Sequence, residues 1–318
     1  MPRIITLTPN PTYDFAVDAD FVEPNRKLRC HNPQSHPGGG GVNVSRAVAR
    51  LGGETLAIIT TGGPYGDAVT EMLKEEKVPV RSIPVKADTR IAFHVRDLGG
   101  DQEYRFNLPG AQMDASEVAA LIAAVKAEAG EGDFVVGSGS LPAAKPADFW
   151  ARAAGAAKSK GARFVLDSIN GVREALDEGV YFLRLNKFEY PDLAGRELEW
   201  PHEVTSFAQK IVRSGGAEKV AVTQGGDGTI IASAEGVSST PVIPVKAESA
   251  VGAGDSFVAA TLVSMLRGAS DEDSIRYGMA AAAATRLTAG TSLFRVEDVD
   301  ALYKTGAAAP SRQRADKS

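Results

Sequence analysis

Short apolar runs alternate with amphipathic stretches along most of the chain. Residues 3–8, 55–61, 134–137, 163–167, 181–185 and 219–223 are rich in Ile, Val, Leu and Phe and are bounded by Gly, Asp or Asn, which predicts strands. Between them, 42–51, 67–76, 115–129, 145–160, 172–178 and 204–214 space their apolar residues three and four apart, as a helix with one buried face does. Two more helices are expected over 254–267 and 271–287, the second capped by Ser270 with Asp273 three residues on. Strands alternating with helices at this pitch predict an α/β fold: a mainly parallel sheet covered on both faces. The run 279–284 is almost all alanine, so its helix can approach another backbone closely.

Two segments break the rhythm. Residues 13–31 and 83–108 have strand-like alternation without intervening helices. Ile91, Phe93 and Val95 alternate with Ala92, His94 and Arg96, Tyr104 and Phe106 flank Arg105, and Gly99–Gly100 supplies a hairpin turn. A small antiparallel sheet outside the main one is expected here, as a lid or a subunit contact. The small, polar residues from Ala307 onward read as a frayed tail.

Composition narrows the function classes. Of 318 residues, 43% are apolar and 24% charged, which excludes global disorder. No run approaches the ~18 apolar residues of a membrane span, and the first ten residues lack a signal-peptide core. The single cysteine, Cys30, excludes a disulfide framework and a cysteine zinc site, and a cytoplasmic location is expected. The net charge of −5 is dispersed, which argues against nucleic acid as a partner. Any phosphorylated ligand must then be met by local cations.

The strongest chemical signal is Gly252-Ala253-Gly254-Asp255-Ser256, where small residues lead straight into a helix. Free backbone N–H groups and the helix dipole favour negative charge there, such as a phosphoryl group in transfer. Asp255 is either an ordinary cap or a general base for a substrate hydroxyl. Gly38-Gly39-Gly40-Gly41-Val42-Asn43 also feeds a helix, and reads as a backbone turn closing on a polyol with Asn43 bonding a hydroxyl. Asn186 and Glu189 end a strand and fit either a turn with an Asn cap or a pair orienting magnesium-bound water and nucleotide phosphates. Thr223, Gly225 and Gly228 stand in a turn that is either a plain hairpin or a nucleotide loop. Asp14 follows the first strand, where open α/β sheets bind ligands; it could hold sugar hydroxyls or cap a turn. Lys27, Arg29, Arg90 and Arg105 lie on the two interrupting segments and suggest a closing phosphate clamp. Walker A, G-x-G-x-x-G, H-E-x-x-H, C-x-x-C and G-x-S-x-G motifs are all missing from the sequence, and the four histidines show no ligand spacing.

Residues 37–50 (PGGGGVNVSRAVAR) and 249–256 (SAVGAGDS) together resemble the two signatures of the ribokinase-like, phosphofructokinase B family of carbohydrate kinases. The resemblance covers about residues 2–303. The N-terminal T-L-T-P-N-P, K-L-R-C at 27–30, the four glycines, Y-R-F at 104–106 and G-S-L-P at 139–142 look most like members acting on fructose 6-phosphate. Members acting on fructose 1-phosphate or tagatose 6-phosphate typically carry Gly-Lys-Gly where this chain has Gly39-Gly40-Gly41.

The resemblance implies a three-layer α/β/α kinase domain over 1–305, with a β lid at about 13–33 and 83–108, and a tail at 306–318. It implies Asp255 as catalytic base and Gly252, Ala253 and Gly254 as the anion hole. Asp14, Gly38, Gly39 and Asn43 would hold the sugar; Lys27, Arg29, Arg90, Arg105 and Ser140 would face its phosphate. Arg184, Asn186, Thr223, Gly225 and Gly228 would line the ATP site, with Glu189 acting through magnesium. Ser249, Val251, Gly290 and Ser292 match positions that hold a monovalent cation, potassium, in several members. The sequence departs from the family pattern at Arg184-Leu185, usually Lys-Pro, at Ala143-Ala144, usually Pro-Gly, and at Ser249, near the place of a usual Asp. The activity expected is ATP-dependent conversion of fructose 6-phosphate to fructose 1,6-bisphosphate by a homodimer paired through its lids. Tagatose 6-phosphate or fructose 1-phosphate is the alternative substrate, and a non-catalytic sugar-phosphate sensor the alternative of another class.

Overall fold

The computed structural model describes residues 2–110, 112–142, 146–288 and 290–306. The expectations for Ala143, Ala144 and the tail from 307 lie outside the described residues. In chain order the strands are β1 (Ile4–Thr8), β2 (Thr12–Ala19), β3 (Cys30–Gly38), β4 (Thr55–Thr61), β5 (Val80–Pro84), β6 (Arg90–Asp97), β7 (Gln102–Asn107), β8 (Phe134–Ser138), β9 (Arg163–Asp167), β10 (Val180–Asn186), β11 (Ala217–Thr223), β12 (Thr229–Ser233) and β13 (Gly236–Thr240). The helices are α1 (Gly40–Arg50), α2 (Gly63–Glu75), α3 (Ala115–Glu128), α4 (Phe149–Lys158), α5 (Val172–Glu178), α6 (Glu189–Ala194), α7 (His202–Arg213), α8 (Ala253–Leu266), α9 (Asp271–Thr285) and α10 (Val296–Thr305).

The main sheet runs β13-β12-β11-β10-β9-β8-β1-β4-β5. It is parallel except for β12 and β13, which pair antiparallel at one edge. Its central strands are apolar throughout because both faces are covered. Along β8, Val135 packs toward Phe149, Trp150 and Leu121 in one helical layer. Phe134 and Val136 pack toward Val44, Phe257 and Ala280 in the other. Helices α3, α4 and α7 thus cover one face and α1, α8, α9 and α10 the opposite one. Strand order reverses between β1 and β8, so a crevice opens at their carboxyl ends. Both glycine-rich signatures come to this end.

The small sheet, β3-β2-β6-β7, differs from expectation in one pairing. Its hairpins β2–β3 and β6–β7 are antiparallel, but they are joined by a parallel β2–β6 pair from Thr12↔Arg90 to Ala19↔Asp97. Both strands leave the main sheet in the same sense, so only parallel pairing unites the two excursions. Residues 83 and 84 belong to β5 of the main sheet rather than to this one. Strands β12 and β13 and helix α10 were not expected, because their short runs carry weak periodicity. Helix α4 starts at Phe149 rather than at 145. Among the described residues no helix is long and apolar enough to cross a membrane.

Helices α8 and α9 pack tightly because α9 presents Gly278 and a run of buried alanines. A Cβ on Gly278 would lie 2.2 Å from Thr261 Oγ1 and 2.9 Å from the Phe257 carbonyl oxygen. Gly278→Ala should therefore destabilise the fold by about 1–3 kcal/mol, read as a lower urea midpoint with unchanged slope. An unaltered midpoint would show that the two helices part without cost.

Candidate active site

Gly38, Gly40 and Gly41 each touch something that leaves no room for a side chain. A Cβ on Gly38 would lie 2.3 Å from Asp14 Oδ2, one on Gly40 2.3 Å from Ser138 Oγ and 2.7 Å from the Gly139 nitrogen, and one on Gly41 2.4 Å from Thr8 Oγ1. Gly39 adds a φ of 109°, open to glycine at little cost. The turn therefore lies against the ends of β1 and β8 and starts α1 there, with Asn43 in its first turn.

Helix α8 begins at the same place. Gly252 has a φ of 75°, and its carbonyl accepts the Ser256 N–H at 2.9 Å. The N–H groups of Ala253, Gly254 and Asp255 precede that bond and form the open end of the helix. Asn43 Nδ2 donates to Asp255 Oδ2 at 2.9 Å, which joins the two signatures across 212 positions of sequence. Asp255 is half-buried but enclosed by protein. Burial, followed by the negative charge of Asp167, pushes its carboxyl up to about 7; the Asn43 bond and Arg184 act the other way.

Arg184 on β10 reaches beneath this helix end. Its Nη1 donates to Asp167 Oδ1 at 3.0 Å and its Nη2 to Thr223 Oγ1 at 2.9 Å. A Cβ on Gly254 would lie 2.9 Å from Nη2, so the guanidinium can sit here only under a glycine. Beyond β10, Glu189 accepts the Asn186 N–H at 2.8 Å, and the Asn186 amide oxygen accepts the Phe188 N–H at 2.8 Å. Asn186 thus does cap the turn, while burial and Asp167 raise the Glu189 carboxyl. Arg184, Asn186 and Thr223 line a cavity of about 450 Å³ that also involves Gly225, Gly228, Met279 and Ala283. Ala253 and Gly254 at the start of α8 line it together with the apolar Val242, Ile243, Phe257 and Met279. A larger groove of about 1070 Å³ lies between α5 and α7, and none of the motif residues enters it.

On the other side of Asp255, Asp14 of β2 is buried, and Oδ1 has no hydrogen-bond partner among the described residues. Burial pushes its carboxyl up to about 6, against the Thr12 hydroxyl and the charges of Arg90 and Arg46. Arg90 Nη2 reaches the Asn10 carbonyl at 3.4 Å, and Asn10 Nδ2 donates to Ser140 Oγ at 3.0 Å. Asp14, Arg90, Asn10 and Ser140 thus form one polar wall. The other lid cations are not part of it. Arg105 pairs with Glu103, and Lys27 and Arg29 stand exposed in the connection between β2 and β3.

The segments that carry the expected cation positions touch at residues beside them. Glu248 donates its N–H to the Arg286 carbonyl at 2.7 Å, and a Cβ on Gly252 would meet Leu293. Ser249 is buried, its hydroxyl accepting the Val251 N–H at 3.3 Å. Gly290 has a φ of 61°, and the Ser292 carbonyl accepts the Thr288 hydroxyl. Among the described residues no group of three or more His, Cys, Asp and Glu forms a ready metal cage.

Sequence reading gave no role to Asp167, which pairs with Arg184 and charges the surroundings of Asp255 and Glu189. Its signal was present: a carboxylate ending an apolar strand at the carboxyl edge of a parallel sheet. It also gave no role to Asn10, which stands in the T-L-T-P-N-P segment directly after β1.

Comparison with known proteins agrees with this geometry. Residues 8–298 match the model of the pfkB family carbohydrate kinases. The chain is 37% identical over 306 residues to ATP-dependent 6-phosphofructokinase isozyme 2 of Mycobacterium tuberculosis, covering 96% of this chain and 90% of that one. Crystal structures of Escherichia coli phosphofructokinase-2 superpose closely. The complex with potassium gives a TM-score of 0.91 at 36% identity, and that with fructose-6-phosphate 0.89 at 37%; each covers 96% of this chain and 99% of the other. With a parallel sheet, two glycine turns and a shared carboxylate arranged in this way, the chain belongs to the pfkB family of carbohydrate kinases.

Proposed function

We propose that this chain is an ATP-dependent 6-phosphofructokinase, with Asp255 taking the proton from the C1 hydroxyl of fructose 6-phosphate. The observation that carries the reading is the Asn43–Asp255 bond. It sets a carboxylate with a pKa near neutrality at an open helix end, between the cavity that would take ATP and the Asp14–Arg90 wall. The oxygen released attacks the γ-phosphorus in line, the bond from that phosphorus to the bridging oxygen breaks, and ADP leaves. The N–H groups of Ala253, Gly254 and Asp255 face the charge that develops on the transferring group. Asp14 would take sugar hydroxyls and Arg90 with Ser140 the 6-phosphate, with Lys27, Arg29 and Arg105 brought in as the lid closes.

Magnesium fits the acidic floor. Asp167 and Glu189 are close enough to raise the Glu189 carboxyl, a repulsion that a cation would relieve. Glu189 would hold it through water, and the ion would supply charge neutralisation for the nucleotide phosphates. Ser249, Val251, Gly290 and Ser292 would hold potassium mostly through carbonyl oxygens. A single kinase unit with its lid, a homodimer paired through the apolar lid face of Phe15, Phe93 and Phe106, and a cytoplasmic site complete the reading. Gly40 favours fructose 6-phosphate over fructose 1-phosphate or tagatose 6-phosphate, because kinases of the latter two typically carry a lysine there, whereas here a Cβ would meet Ser138 Oγ and the Gly139 nitrogen.

Asp255→Asn should lower kcat by about 10²–10⁴-fold, measured as ADP release dependent on sugar phosphate. Turnover near wild type would remove Asp255 as base. The wild-type kcat/KM should fall tenfold per pH unit below about 7, where the carboxyl takes its proton. Stability gives an independent check. The folded value lies above the ordinary 3.8, so the ionised group costs increasing stability as pH rises from about 4 to 7. Asp255→Asn should therefore raise the melting temperature at pH 8 and not at pH 4.

Side-by-side turnover on fructose 6-phosphate, tagatose 6-phosphate and fructose 1-phosphate should favour the first. Arg90→Ala should raise the KM for the sugar phosphate at least tenfold with the KM for ATP little changed. An unchanged sugar-phosphate KM would take Arg90 out of the clamp.

A further inference from the structure

We propose that Arg46 and Glu76 are a positioning pair that sets the orientation of the Asn43 amide and thereby keeps Asp255 ready to accept a proton. The proposal rests on the reading of Asp255 as general base. An arginine with no exposed side-chain surface is rare and needs partners for its donors. Arg46, one turn after Asn43 on α1, is such a residue. Its Nε donates to both Glu76 oxygens at 2.9 and 3.0 Å, and its Nη2 lies 2.7 Å from Glu76 Oε1. Its Nη1 donates to the Pro37 carbonyl at 3.1 Å and to Asn43 Oδ1 at 3.3 Å. One guanidinium therefore grips the residue before the glycine turn and the amide after it, while Glu76 anchors it from the end of α2. Arg50 supports Glu76 at 3.5 Å and reaches the Phe294 carbonyl at 3.2 Å.

The chemistry follows from the amide's asymmetry. Asn43 has one branch that accepts and one that donates. Arg46 can only donate, so it takes the oxygen and leaves the NH₂ for Asp255. A flipped amide would set NH₂ against the guanidinium and oxygen against the carboxylate, two repulsive contacts. A donor facing Asp255 favours its charged form, whereas an acceptor would favour the protonated acid. The other charged groups around Asp255 are Asp167 on β9, Arg184 on β10 and Asp14 on β2. They act alike in both amide orientations. Arg46 and Glu76 make no hydrogen bond to the sugar wall or the nucleotide cavity. The Arg46 charge also lowers the Asp14 carboxyl and acts with Glu76 on the half-buried His36, and those routes bypass Asn43 and would add in a double variant.

The test is the pH dependence of kcat at saturating ATP and fructose 6-phosphate for Arg46→Met, Arg46→Lys, Glu76→Gln, Asn43→Ala and the Arg46→Met/Asn43→Ala double variant. In Arg46→Met the acid limb should move up by about one pH unit, lowering kcat about tenfold at pH 6 and less than about twofold at pH 9, with the KM for ATP unchanged. Arg46→Lys, which keeps the charge but not the fork, and Glu76→Gln should give smaller shifts of the same sign. Asn43→Ala should shift the limb, and the double variant no further than Asn43→Ala alone. A merely structural role would scale kcat evenly across pH. An unmoved limb, or shifts that add in the double variant, would overturn the proposal. If Arg46→Met does not fold, an unmoved limb in Glu76→Gln, at a partly exposed helix end, overturns it equally. Failure of the base reading is seen separately, as turnover retained in Asp255→Asn.

Discussion

One contact organises the active end of this molecule: the bond from the Asn43 amide to the Asp255 carboxylate. Its partners sit in the first turns of two helices from opposite ends of the chain. Their meeting demands that both backbones approach more closely than side chains allow. The glycine turn presses on Asp14, Ser138 and Thr8, Gly252 on Leu293, and Gly254 on Arg184. Seen this way, the glycines are space for other residues' functional groups. Their ordering entropy is offset by the sheet behind them, whose apolar strands fix where α1 and α8 begin.

The sheet was legible because burial on both faces leaves a plain mark. Runs such as Phe134–Ser138 are fully buried, and hydrophobic periodicity locates them without help from neighbours. The lid was legible as an interruption, but the parallel β2–β6 pair was not. Hairpin signals are local, whereas parallel pairing between segments seventy residues apart depends on how the main sheet launches both strands. Strands β12 and β13 escaped notice for a related reason. They form an edge hairpin in which β13 is mostly exposed and so needs little apolar patterning, while β12 is buried but only five residues long.

At the site the same distinction holds. Asp255, Asn43 and the glycines were readable because each stands in a dense local motif. Asp167 and Arg46 were not, since their importance comes from partners brought in by folding: Arg184 in one case, Asn43 and Glu76 in the other. The departure at Arg184 has a physical account. A guanidinium bonds two acceptors in one plane, and here it spans Asp167 and Thr223 on either side of β10, a bridge that a lysine's single ammonium would make less rigidly.

The charge balance of the crevice carries one more consequence. Asp255 feels the charges of Asp167 and Asp14, and Glu189 that of Asp167, in a chain whose net charge is already −5. Two of these carboxyls are raised, to about 6 and about 7, and Glu189 is raised as well. Arg184 is already engaged by Asp167, and Arg90 lies close enough to Asp14 for the two charges to act on each other. Two arginines thus face four acids, and Asp255 and Glu189 have no ion-pair partner of their own. At the start of α8 itself the groups that face an anion are uncharged: backbone N–H groups, whose dipoles attract negative charge without drawing Asp255 into an ion pair. An arginine in their place would hold phosphate as well but would pull the Asp255 pKa down and blunt the base. A helix end built of glycine and alanine lets one small volume accept negative charge and still keep a basic carboxylate beside it.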